Sequence, residues 1–133
     1  METTEMVKSP FDQQTLQYFK ELLLEKRREA EEQKEKIEKN ISNLNEADDA
    51  DQSSMAHHMG DFGSETEEKQ MSYQFLERTR KYINQLNNAL QRVEDGSYGI
   101  CQATGKPISK GRLESVPHTR YSIEAKKQGL NKG

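Results

Sequence analysis

Met59-Gly60-Asp61-Phe62-Gly63-Ser64 separates two long, charged runs that contain neither proline nor glycine. Glycine accepts tight or left-handed backbone that strains other residues. Ser64 with Glu67 three positions on is a capping-box pattern, which predicts a helix restarting at about Glu65. The stretch therefore reads as the turn of a two-helix hairpin whose far end, near 55–64, carries Asp61.

Composition agrees with such a hairpin. Of 133 residues, 31% are hydrophobic and 32% charged, and there is no Trp. That is little apolar material for a globular core, but a coiled-coil seam needs apolar residues at only about two positions in seven. The net charge of −3 is spread in both signs, which argues against DNA binding by a basic surface. No run approaches the roughly 20 apolar residues of a membrane span, and the polar N-terminus does not resemble a signal peptide. Cys101 is the single cysteine, so no intrachain disulfide forms. These features predict one soluble, cytoplasmic protein with no membrane attachment.

Residues 1–8 read as a flexible N-terminus. Ser9-Pro10-Phe11-Asp12 reads as a helix start, with serine as cap and proline at the first helical position. Leu16, Leu23, Ala30, Ile37 and Leu44 recur every seven residues. Phe19 fills the intermediate position once; Lys26, Gln33 and Asn40 fill it afterwards, and Ile41 widens the stripe. The seam is thus strong at the base and polar toward the tip. About 35 helical residues would reach roughly 50 Å. The acidic run Asn45–Ser54 can extend the helix or fray it, and His57-His58 beside Asp61 lacks the spacing of a metal site. In the second helix, to Asp95, the spacing predicts a seam of Phe75, Thr79, Tyr82, Leu86, Ala89 and Val93, flanked by Leu76, Ile83 and Leu90. Gly96 reads as its left-handed cap. The hairpin spans 9–95. Residues 96–133 read as a small knob with short turns or strands at 98–101 and 106–108. A final short helix, Ser122–Gln128, ends at Gly129. A knob this small usually needs a staple such as a metal.

The string Val93-Glu-Asp-Gly-Ser-Tyr-Gly-Ile-Cys101, followed by Gly105-Lys-Pro-Ile108, Arg112-Leu-Glu114 and Pro117, resembles the zinc-knob region of the DksA/TraR family, bacterial regulators that bind RNA polymerase. The resemblance implies a mainly α fold, a long antiparallel coiled-coil hairpin with a degenerate zinc-finger-like knob and a short C-terminal helix. The family's C-x2-C-x17-C-x2-C ligand spacing falls here on Cys101, Thr104, Ser122 and Ala125, so no zinc is expected. Packing among Ile100, Cys101, Ile108, Leu113 and Ile123 is the expected replacement, with Cys101 a buried core residue.

The resemblance also implies function. In the family the hairpin enters the polymerase secondary channel, and tip acids in a D-x-x-D-x-A pattern approach the active site. That pattern falls on His58 to Gly63, keeping Asp61 as the second acid, with His58 and Gly63 at the first-acid and alanine positions. Three basic positions that serve a guanosine tetraphosphate site fall on Gln85, Val116 and Lys126, so dependence on that nucleotide is expected to be weak, with Lys126 the one retained cation. The expected protein is a non-enzymatic regulator of transcription initiation that reads no DNA bases. A transcript-cleavage or elongation factor of similar shape, and a self-associating structural coiled coil, are the alternatives.

Overall fold

The computed structural model describes residues 9–53 and 59–129, with side chains described up to position 46 and from position 67. Helices α1 (Gln13–Ser53) and α2 (Met59–Asp95) are followed by the short helices α3 (Lys110–Ser115) and α4 (Ile123–Lys127). The fold is mainly α, an antiparallel helical hairpin followed by a small knob. The described chain forms two compact units, one from residues up to Arg28 together with those from Asn84 on, the other Glu29–Ile83.

Asp12 caps α1. Its Oδ1 accepts from the Thr15 N–H at 2.8 Å, and its carbonyl accepts the first helical bond from Leu16 at 2.9 Å. Ser9, expected as the cap, instead accepts from the Phe11 N–H and closes the turn before the helix. Both residue types cap well; Asp12 wins because it adds a full negative charge at the positive end of the helix. The Thr15 hydrogen bonds accordingly lower the Asp12 pKa.

In the unit that holds the knob, α1 and α2 run antiparallel. Lys20 Nζ lies 3.6 Å from Glu94 Oε2, and about two turns further along α1, Arg27 donates to Asn87 Oδ1 at 2.8 Å. Phe19, Leu23, Leu86 and Ala89 are buried there. Gly96, at φ 82°, ends α2, and the Ser97 and Tyr98 N–H groups both turn back to the Arg92 carbonyl. Ser9 N–H then bonds the Gly96 carbonyl at 2.6 Å, tying the start of α1 to the end of α2. Phe11, Phe19 and Tyr98 form a cluster with ring centroids 5.5 to 6.5 Å apart. Gly99 has φ 92°, and a Cβ there would stand 2.5 Å from the Phe11 ring, so backbone and packing both demand glycine.

The Glu29–Ile83 unit is thinner. Ala30, Ile41, Leu76 and Ile83 are buried, and Asn40 donates to the Ser72 hydroxyl at 3.0 Å within the seam. Arg80 and Glu38 pair at 3.7 Å. The buried face of α2 runs Ser72, Leu76, Thr79, Ile83, Leu86, Ala89. Phe75, expected in the seam, is 47% exposed with Arg78 over its ring, and Tyr82 is only half-buried. The two rows share Thr79, Leu86 and Ala89 and have the same four-three spacing. Compact aliphatic chains take the narrow seam, while the aromatics lie outside it.

The predicted restart at Glu65 is also corrected. Helix α2 begins at Met59 and runs through Gly60, Gly63 and Ser64. A glycine inside a helix costs only about 1 kcal/mol, and the strong helix formers that follow sustain it. Ser64 and Glu67 are then neighbours three apart on a helix rather than a cap.

Candidate functional site

The four positions with family ligand spacing do come together in the knob, but as a hydrogen-bonded cluster. Residues 99–108 form a tight hairpin: Ile108 N–H bonds Gly99 O, Cys101 N–H bonds Lys106 O, and Ile100 and Pro107 form an antiparallel bridge. Gly105 N–H returns to Cys101 O at 2.8 Å, and its φ of 75° closes the turn. Ser122, the N-cap of α4, accepts from the Ala125 N–H at 3.1 Å. Its own N–H and hydroxyl both donate to Cys101 Sγ, at 3.4 and 3.6 Å. Thr104 also hydrogen-bonds Cys101, and its Oγ1 accepts from the Lys106 N–H.

This donor set does not fit a zinc ion. One sulfur remains, Ala125 offers no ligand, and the Ser122 oxygen is committed to capping α4. Among the described residues no group of three or more His, Cys, Asp or Glu could hold a metal. Where a metal would join the two halves of the knob, a sulfur joins them as acceptor.

Burial pushes the Cys101 thiol up. The Thr104 and Ser122 hydrogen bonds, which favour the thiolate, outweigh it and bring the pKa down to about 6 from an ordinary 9.0. A folded-state pKa below the unfolded one adds stability that is complete above the unfolded value and is lost as pH falls through the folded value. Knob stability is therefore expected to fall by roughly 1 kcal/mol per pH unit on acidification from about 9 to about 6. Urea titrations of the parent and of Cys101→Ala across that window check it: equal slopes with pH would show that the sulfur carries no charge in the fold.

Cys101, Ile108 and Leu113 are buried as expected, but Ile123 is 42% exposed. Ala125 and Tyr98 take the core positions instead, with the Tyr98 hydroxyl donating to Pro117 O at 2.7 Å. Ala125 follows the Ser122 cap by three residues, so its face of α4 turns inward and that of Ile123 outward. Helix α3 was not expected; Ser109 caps it by accepting from the Arg112 N–H, and Leu113 anchors it. A serine four residues before a buried leucine is the signal that marks it.

At the tip, Asp61 and Gly63 fall in the first two turns of α2, beyond the described side chains. His58 lies outside the described residues.

The three positions assigned to a nucleotide do converge. Gln85, Val116 and Lys126 all line one cavity of about 380 Å³ within the knob-bearing unit. Arg92, Arg112 and Arg120 line it too, and no carboxylate does. Arg92 donates to the carbonyls of His118 and Thr119 at 3.3 and 3.5 Å. Burial, then the charges of Arg92 and Arg112, lower the His118 pKa. Sequence reading passed over these arginines because they come from three separate elements.

A hairpin of two long helices, closed by a knob built on a zinc-finger plan, defines a class of bacterial protein. The family profile described as "Prokaryotic dksA/traR C4-type zinc finger" matches residues 96–127. The solved structure of transcription factor DksA2 from Pseudomonas aeruginosa superposes with a TM-score of 0.75 at 30% identity, covering 89% of this chain and 84% of that one. The chain belongs to the DksA/TraR family. Over 70 residues it is 40% identical to the RNA polymerase-binding transcription factor DksA of Caulobacter vibrioides, covering 53% of this chain and 49% of the relative. Over 69 residues it is 38% identical to general stress protein 16O of Bacillus subtilis, covering 52% of this chain and 42% of the relative. The chain thus spans about half the length or less of the curated relatives it matches. No described helix is long and apolar enough to cross a membrane.

Proposed function

We propose that this protein is a cytoplasmic, non-enzymatic regulator that binds RNA polymerase and modulates transcription initiation through the secondary channel without reading DNA bases. The observation that carries it is the likeness to DksA2 over nearly the whole chain, taking in both long helices and the knob. The name of the Caulobacter vibrioides relative, an RNA polymerase-binding factor, supports the partner. Asp61, flanked by His58 and Gly63 in the family tip pattern, faces the polymerase active site in this reading. Its role is to bias a mobile element there, not to catalyse. The test is capture of purified RNA polymerase by the tagged protein, followed by single-round transcription with and without it. No capture would sink the proposal, and RNA cleavage on a stalled polymerase would replace it with a cleavage factor.

The knob in this reading is zinc-free. Cys101, Thr104, Ser122 and Ala125 are held by their own hydrogen bonds, so the purified protein should contain no stoichiometric zinc and keep its melting temperature in chelator. Elemental analysis finding about one zinc per chain would defeat this.

Dependence on guanosine tetraphosphate should be weak. Gln85 and Val116 bring no charge to the cavity, and only Lys126 of the three assigned positions is cationic. The transcriptional effect should change less than about five-fold when the nucleotide is added, since one exposed charge contributes about 1 kcal/mol or less. A large, saturable gain would overturn it.

A further inference from the structure

The Glu29–Ile83 unit leaves a second row on α2 uncovered. Met71, Phe75, Arg78 and Tyr82 follow one another at intervals of four, three and four, the spacing of the buried seam beside them. Met71 is 59% exposed, and Phe75 stays half-exposed with the Arg78 guanidinium over its ring. Together with half-buried Ile37 of α1, Met71 and Phe75 wall a groove of about 390 Å³. A seam-spaced apolar row on the outside of a two-helix hairpin is a face that further helices cover in a four-helix bundle.

The ends of the groove say which helices. Lys36 and Glu68 are the charged residues in its described lining, one of each sign. The Asn40–Ser72 hydrogen bond marks a level at which α1 and α2 stand opposite each other. Lys36 lies one turn from Asn40 toward the base, and Glu68 one turn from Ser72 toward the tip. The two are therefore roughly 12 Å apart along the hairpin, and neither has an ion-pair partner among the described residues. A two-fold axis crossing the groove at the Asn40–Ser72 level exchanges base and tip. It brings Lys36 of each copy to the level of Glu68 of the other, and sets the Met71 and Phe75 side chains of the two copies together. The groove is thus complementary to itself, as the patch of a two-fold dimer must be. A partner of one charge would find one end of it repulsive; a second copy finds neither so.

We propose that two copies of this chain pair antiparallel through these grooves, forming a four-helix dimer. Few exposed apolar side chains take part, which places the contact among small, transient interfaces set by concentration. Pairing is independent of the regulator reading above and stands or falls without the polymerase.

Sedimentation equilibrium of the full chain over about a hundred-fold range of concentration should show a reversible monomer–dimer step. Phe75→Ser should weaken that step about ten-fold or more, while the dilute protein melts with the parent. Lys36→Glu and Glu68→Lys, each alone, set like charges at both ends of the paired groove and should weaken it about five-fold. Combined, they exchange the signs and should restore the parent's affinity to within about two-fold, a rescue that a merely structural role would not give. A parent that stays monomeric throughout overturns the proposal, as does pairing that Phe75→Ser leaves intact. Loss in both single charge variants without rescue in the double variant overturns the antiparallel register. If the parent stays monomeric and Phe75→Ser lowers capture of RNA polymerase, the occupant is the polymerase and not a second copy.

Discussion

Replacing Asp61 with Asn is expected to leave polymerase binding within a few-fold of the parent while removing most of the effect on a sensitive promoter. Asn has nearly the size of Asp and lacks its charge. Docking in the proposed mode is spread along the hairpin sides and the knob, and one exposed charge is typically worth about 1 kcal/mol or less. Asp61 stands in the first turn of α2, where losing a negative charge costs about 0.3–1 kcal/mol of helix stability. That is too little to unfold a 37-residue helix whose described part buries Leu76, Ile83, Leu86 and Ala89. Paired competition binding and single-round transcription on the same preparations decide the matter. Full activity removes the tip acid from the mechanism; parallel loss of binding and activity makes Asp61 a docking residue.

Tyr98→Ala should do the opposite, abolishing both binding and activity by unmaking the knob. Tyr98 is fully buried between Phe11 and Phe19, and its hydroxyl serves the Pro117 carbonyl. Truncating a buried aromatic to alanine costs about 3–5 kcal/mol, and a buried carbonyl left without its donor adds about 1–3 kcal/mol. Whole domains are stable by only about 5–15 kcal/mol. Thermal unfolding should therefore move down by at least about 10 °C. Tyr98→Phe, which keeps the ring, should lose only the hydroxyl's share. A Tyr98→Ala protein melting with the parent would mean that the aromatic cluster is not what holds the knob to the helices.

The class of fold was legible because its cues are local. Two long runs nearly free of helix breakers mark the two helices, and the glycine at 96 settles the end of α2 through a few neighbouring residues. The face of α2 was harder. Phe75 with Tyr82 and Leu76 with Ile83 offer rows of identical period, and choosing between them requires knowing what lies opposite, such as Asn40 meeting Ser72. Two caps competed within four residues at the start of α1, and only the folded chain selects Asp12 over Ser9.

The knob divides in the same way. Ligand spacing alone brought Cys101, Thr104, Ser122 and Ala125 into one expected cluster, since a shared pattern carries the geometry with it. That Cys101 would become an acceptor for both donors of Ser122 was not legible, because spacing says where residues meet and not what they exchange. The cationic cavity lay further from view. Its arginines come from α2, from α3 and from the segment before α4, and no stretch of sequence contains the site.

The hydrogen bond from Ser9 to Gly96 has a consequence for how the chain is made. Synthesis delivers the N-terminus first, and a domain closes only when its last partners have left the ribosome. Phe11 and Phe19 emerge early, yet the Tyr98 ring that packs on both stands beyond the end of α2. Helix α1 can wind as it emerges, since its hydrogen bonds are internal, but its apolar base waits until the end of α2 has emerged. A nascent chain halted before Gly96 carries that base uncovered, with neither the tether to Ser9 nor the Tyr98 ring. The same contact that ties the folded protein together at its base leaves the unfinished one sticky until residues 96–98 have emerged.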